Sequence, residues 1–144
     1  MKHALSAALI GAALSTGAYA EGVNHKVAFH VDENDPQLMN MALNNVANVA
    51  SYYEEQGDTV VVEVVTYGPG LNMLIKGKSP VADRISTMSL EMGNLTFVAC
   101  QNTLDVMTKK AGSEIPLLEE AKVVPSGVVR LISLQEEGYS YIRP

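Results

Sequence analysis

The chain has 144 residues, 47% of them hydrophobic, and its ten Lys and Arg against sixteen Asp and Glu give a formal net charge of −6. That length supports one compact domain with a core of its own and leaves little room for a second. The acidic balance, with no basic cluster anywhere, argues against nucleic acid and anionic membrane surfaces as partners, and no Cys/His spacing suits zinc.

Residues 1–20 read as a secretory signal. Lys2 supplies the basic start, residues 4–14 form an apolar stretch of mostly Ala, Leu, Ile and Gly, and Ala18-Tyr19-Ala20 has the A-x-A form of a cleavage site. The apolar stretch is too short to cross a bilayer, which takes about 20 apolar residues. The expected mature protein is a single domain over residues 21–144 that is exported to the periplasm and has no membrane attachment after cleavage. Losing Lys2 leaves nine basic against sixteen acidic side chains, a net charge of −7, with His25 and His30 as the remaining histidines.

Residues 26–31 form a short apolar run that ends in the polar turn Asp32-Glu33-Asn34-Asp35. Asp35 followed by Pro36 predicts a helix N-cap with Pro at the first helical position. Leu38, Met41, Ala42, Val46, Val49, Ala50 and Tyr53 recur at spacings of three and four, one apolar stripe that runs to the stop at Gly57. The polar side of this helix carries Asn40, Asn44, Asn45 and Asn48. Asn is a poor helix former, so that face is either solvated or a subunit contact.

Residues 59–66 are nearly continuous valine, as suits a buried parallel strand, except for Glu63, which an edge strand accommodates more easily. Tyr67-Gly68-Pro69-Gly70 is turn-forming and is followed by an apolar segment, residues 71–75. Ser79-Pro80 opens a second helix with Val81, Ile85, Met88 and Met92 on one side and Gly93 at its end. Residues 95–99 are the third strand. After Cys100, Asn102 or Thr103 is expected to cap a short helix with Leu104, Met107 and Ala111 inward and Gly112 as its stop. Residues 122–124 are a brief strand, Ser126 caps a last helix over 127–137, and Gly138 turns the chain into residues 139–142.

Five strands separated by four helical connections predict an α/β fold: a parallel sheet with helices on both faces, joined by right-handed crossovers. The common doubly wound order for five strands, 2-1-3-4-5, places the Glu63 strand at an edge. Ligands of such sheets bind beyond the carboxyl ends of the strands, where this order brings together His30 and Asp32 after the first strand and Cys100 and Asn102 after the third.

Four segments carry a family resemblance: Phe97-Val98-Ala99-Cys100-Gln101-Asn102-Thr103, Thr66-Tyr67-Gly68-Pro69-Gly70-Leu71, Phe29-His30-Val31-Asp32, and the ending Ser126-Gly127-Val128-Val129-Arg130-Leu131 through Gly138-Tyr139-Ser140-Tyr141-Ile142-Arg143-Pro144. Together they resemble exported single-domain members of the DsrE/DsrF-like sulfur-relay family. The resemblance implies a three-layer, Rossmann-like or flavodoxin-like domain that assembles into homotrimers or homohexamers. It also implies that a cysteine after the third strand takes up sulfur as a persulfide from a donor protein or passes it to an acceptor. Cys100 is at that position. The chain differs from the characterised carriers in its export signal and in having no second cysteine.

Two readings of Cys100 follow from its position alone: a small buried hydrophobe, or a thiol whose pKa is lowered by the helix N-terminus that follows it. In the second reading His30 acts as a proton donor or orients a substrate, Asp32 binds a cation or caps its turn, Gly68 and Gly70 turn backbone amides toward an anion, and Asn102 donates from its amide or caps the helix. Walker-type and G-x-G-x-x-G phosphate loops are absent, and no metal, nucleotide or other cofactor is expected. Val128, Val129, Leu131, Ile132 and Leu134 cover more of the last helix than one sheet face can bury, which predicts a homo-oligomer. The two function classes are a periplasmic sulfur-handling protein with Cys100 as its persulfide-carrying thiol, and a non-catalytic ligand-binding or structural oligomer.

Overall fold

The computed structural model describes residues 22–144; the signal sequence read at 1–20 lies outside them. In chain order the elements are β1 (Asn24–Val31), α1 (Pro36–Glu55), β2 (Thr59–Thr66), a 3-10 segment (Gly68–Leu74), α2 (Ala82–Glu91), β3 (Leu95–Cys100), α3 (Gln101–Ala111), β4 (Ala121–Val124), α4 (Gly127–Glu136) and β5 (Ser140–Ile142). All strand pairs are parallel, as the strand–helix alternation predicts.

The sheet order is β4-β3-β2-β1-β5. The layout resembles the expected 2-1-3-4-5, one strand on one flank of β1 and three on the other, but the lone flanking strand is β5 and not β2. Glu63 therefore does not sit on an edge: β2 is hydrogen-bonded to β1 and β3 on its two sides. The carboxylate is accommodated by a cation instead. Arg130 of α4 reaches across with Nε donating to Oε1 at 2.6 Å and Nη2 to Oε2 at 2.7 Å, a bidentate pair that satisfies both oxygens of a buried acid.

The order also assigns the layers. Consecutive steps β1 to β4 move one way across the sheet and place α1, α2 and α3 on one face, where Val27, Phe29, Val31, Val62, Val64, Phe97 and Ala99 pack with Met39, Leu43, Val46 and Ile85. The step from β4 back to β5 carries α4 over the other face, against Ala28, Val65 and Val98, through Leu131 and Leu134.

Asp35 caps α1 as expected, accepting from the amides of Gln37 at 2.8 Å and Leu38 at 3.5 Å. The buried stripe is rotated from the expected one: Met39, Ala42, Leu43 and Val46 are inside, and Met41 is exposed. The asparagine face has an intrachain use, because Arg84 of α2 donates to the Asn40 carbonyl and side-chain oxygen and to Asn44 Oδ1. Neither Asn102 nor Thr103 caps α3; the helix begins at Gln101 with Cys100 itself in the N-cap position. Leu104 and Met107 pack on the core as expected, whereas Ala111 is exposed.

Candidate functional site

In an open parallel sheet the crevice forms where successive helices leave for opposite faces. Here that place is the carboxyl edge of β3 and β4, since α3 follows β3 on one face and α4 follows β4 on the other. Cys100, the last residue of β3, lies between the two helix starts and is 4% exposed. The amides of Gly127, Asn102 and Thr103 and the Thr103 hydroxyl lie around its thiol and favour the anion, although Cys100, as N-cap, accepts no helix-capping hydrogen bond through its side chain. Burial pushes the thiol up, but those groups outweigh it, led by the Gly127 amide, and hold the pKa below its ordinary value. The cause is general: free amides at helix N-termini favour an anion.

Gly127 is the first residue of α4, whose cap Ser126 accepts from the Val129 amide. A Cβ on Gly127 would meet Tyr67 Cδ1 at 3.0 Å, Tyr67 Cβ at 3.1 Å and Cys100 Cβ at 3.3 Å. Only a residue without a side chain brings the α4 amide this close to the thiol. Thr103 ties the same region to the loop after β2, because its hydroxyl accepts from the Gly68 amide at 2.9 Å.

The remaining expected site residues form a second cluster. β2 separates β1 from β3, so His30 and Cys100 are not neighbours across the sheet as the 2-1-3-4-5 order required. Tyr67, directly after β2, stands between them: its ring stacks on His30 with centroids 4.6 Å apart, and its Cβ side rests against Gly127. His30 is 5% exposed. Its Nδ1 is hydrogen-bonded to the Tyr141 hydroxyl at 2.7 Å, while the buried Nε2 has no partner and lies 3.8 Å from Asp32 Oδ2. Burial lowers the imidazole pKa, the Asp32 carboxylate pulls it partly back up, and Arg143 lowers it again; the ring is neutral at neutral pH.

Asp32 caps no turn and pairs with Arg143 instead, whose Nε and Nη2 each lie 3.1 Å from Oδ1. Arg143 also bonds Glu33. The cluster raises the pKa of the Tyr67 phenol, by burial first and then by the negative charge of Asp32, with Tyr141 and Cys100 adding to it.

Both glycines have a structural use. Gly68 has φ of 54°, the left-handed region that favours glycine, and its amide is used by Thr103. Gly70 is buried so closely against the end of β1 that a Cβ would overlap the Val31 carbonyl. Asn102 has an exposed side chain, and its backbone amide donates to the Pro125 carbonyl at 3.3 Å. Among the described residues no group of His, Cys, Asp and Glu is arranged to hold a metal ion.

Tyr67, Gly127, Tyr141 and Arg143 complete the site without any local pattern that marks them. Tyr141 and Arg143 meet His30 and Asp32 across 111 residues of sequence, a contact set by β5 pairing beside β1.

A model of the DsrE/DsrF-like family matches residues 4–144. Among solved structures, the protein of unknown function MTH1491 from Methanobacterium thermoautotrophicum is 34% identical, with a TM-score of 0.70, covering 83% of this chain and 99% of that one. No curated protein matches the chain. With the family's model matching nearly the whole sequence, the chain belongs to the DsrE/DsrF-like family.

Proposed function

We propose that the protein is a sulfur-relay carrier in which Cys100 accepts a sulfane sulfur as a persulfide and passes it to an acceptor. Family membership supports the sulfur-relay class. One observation carries the assignment to Cys100: the thiol sits between the starts of α3 and α4, where helix-start amides favour its anion and no carboxylate is among the groups that shift it. That environment favours both the attacking thiolate and the persulfide anion it becomes.

The step requires no metal. The thiolate attacks the outer sulfur of a donor R–S–S–H, the donor's S–S bond breaks, its electron pair leaves on R–S⁻, and that thiolate takes up a proton. Cys100 is left as Cys–S–S–H, and transfer to an acceptor thiolate repeats the exchange in reverse. His30 belongs to the adjoining cluster, where its orphaned Nε2 is the group available to move a proton or orient a donor.

Export to the periplasm and assembly as a homotrimer or homohexamer are part of the proposal. The exposed Val128, Val129 and Ile132 of α4 support assembly, because water-facing valine and isoleucine on one helix are covered cheaply by a second copy. Sedimentation showing only monomer at micromolar concentration would count against it, and cell fractionation tests the export.

Mass spectrometry after exposure to polysulfide tests the carrier role. An adduct of about 32 Da, one sulfur atom, is expected on Cys100 and is expected to vanish in Cys100→Ser. No adduct, with alkylation only after denaturation, would leave Cys100 as a buried structural thiol and favour a non-catalytic oligomer.

A further inference from the structure

Beside the thiol, the 3-10 segment and α3 border an open groove of about 590 Å³, a volume typical of small-ligand sites. Its head is Thr103, whose hydroxyl accepts from the Gly68 amide and is among the groups that favour the Cys100 anion. Pro69, Val106 and Met107 form apolar walls, and Lys110 lies at the far end. Val106 is 68% exposed, an apolar side chain with no intrachain reason to face water on a helix whose inner side is already used by Leu104 and Met107.

Charge is distributed unevenly along this groove. The carboxylates nearest the other side of Tyr67, Asp32 and Glu33, are held by Arg143, which leaves no side-chain cation for a donor charged close to its sulfur. Lys110 is different: among the described residues no carboxylate pairs with it. Thr103 and Lys110 are seven residues apart on one helix, about 10 Å along its axis at 1.5 Å per residue. Cys100 adjoins the groove through Asn102 and Thr103 and is not part of its lining, so a ligand that fits lies along the groove with its sulfur directed toward Cys100, an apolar middle, and a negative charge two turns away.

We propose that this groove seats the leaving group of the sulfur donor, and that the donor is a low-molecular-weight organic persulfide whose apolar chain ends in a carboxylate paired with Lys110. The proposal rests on Cys100 being the sulfur acceptor. In the transfer the donor's inner sulfur leaves as R–S⁻ at the groove head, takes a proton to become R–SH, and departs with its chain, while the outer sulfur stays on Cys100.

The test compares the persulfide of mercaptohexanoate with that of its methyl ester as donors to the full mature protein, and follows sulfur loading of Cys100 by mass spectrometry. The acid is expected to load about threefold to fivefold faster than the ester at low salt, the range an exposed ion pair supplies. The advantage should shrink as salt is added and disappear in Lys110→Met. Val106→Asp should slow the acid further than the ester. Alkylation of Cys100 by iodoacetamide should be unchanged in Lys110→Met, which separates donor binding from thiol reactivity. Equal rates for acid and ester in the natural protein, or an advantage that survives Lys110→Met, overturns the groove assignment while loading by polysulfide keeps Cys100 as the acceptor. Failure of every donor, polysulfide included, overturns both.

Discussion

The two faces of the sheet are built from opposite materials. Toward α1, α2 and α3 the strands present Val27, Phe29, Val31, Val62, Val64, Leu95, Phe97 and Ala99, and every one is buried in a single apolar cluster. Toward α4 the alternate positions include His30, Glu63 and Cys100, each buried and each polar or reactive, with a small apolar cluster of Ala28, Val65, Val98, Leu131 and Leu134 among them. Strand residues alternate faces with period two, so one continuous run of sequence supplies both surfaces. Burying a polar group costs free energy unless it is paired, and the α4 face meets that cost with specific partners: Arg130 for Glu63, Tyr141 for His30 and helix-start amides for Cys100. One face makes the fold stable. The other accepts partners that cost stability and gain chemistry.

If the faces divide the work in this way, the largest effect on stability should come from the apolar side. Phe97→Ala removes one of the largest fully buried side chains and is expected to cost about 4 kcal/mol in chemical denaturation, while the folded fraction keeps an unchanged rate of Cys100 alkylation. A comparable loss from a substitution confined to the α4 face would break the comparison.

Next in size is the Glu63–Arg130 pair. Arg130→Ala leaves a buried carboxylate without its bidentate partner and should cost about 2 kcal/mol. Replacing both residues with apolar ones of similar volume should recover most of that loss. Denaturation of the single and double variants decides whether this contact holds α4 on the sheet by net attraction or only by avoiding an unpaired charge.

The smallest effect on stability, about 1 kcal/mol, is expected from Gly127→Ala, which sharpens the comparison most. The new Cβ has to displace Tyr67 or the start of α4, so the amide moves away from the thiol. In the natural protein the surrounding donors lower the thiol pKa. The alkylation rate should therefore reach half its plateau at a lower pH than for an unperturbed thiol. In Gly127→Ala that midpoint should move up, and at neutral pH alkylation should slow about fivefold, the equivalent of one hydrogen bond of about 1 kcal/mol. An unchanged midpoint would show that α4 packs beside Cys100 without activating it.

Much of this was legible before any coordinates. Valine runs and the helix signals at Asp35-Pro36, Ser126 and Gly112 place the elements, because caps and strand composition are local properties, and the strand–helix alternation predicts a parallel sheet. Cys100 stands out by the same local logic, at the end of an apolar strand and the start of a helix. The asparagine face of α1 was ambiguous because its partner, Arg84, is on another helix. Glu63 pointed to the wrong strand position because its partner, Arg130, is 67 residues away, and no local pattern announces a cation that arrives from the opposite layer.

The sequence by itself determined the α/β class, a five-stranded parallel sheet and the strand-end position of its lone thiol. Those follow from propensity, capping and hydrophobic period, which act over a few residues. The tertiary structure decided which strand flanks β1, and through that everything that makes the thiol unusual. Returning β5 to the side of β1 carries α4 over the other face, brings the Gly127 amide to Cys100 and delivers Tyr141 and Arg143 to His30 and Asp32. Strand order is a global choice among packings of the same elements. It is set by how the buried charges and apolar faces can all be satisfied at once, and no window of sequence contains that sum.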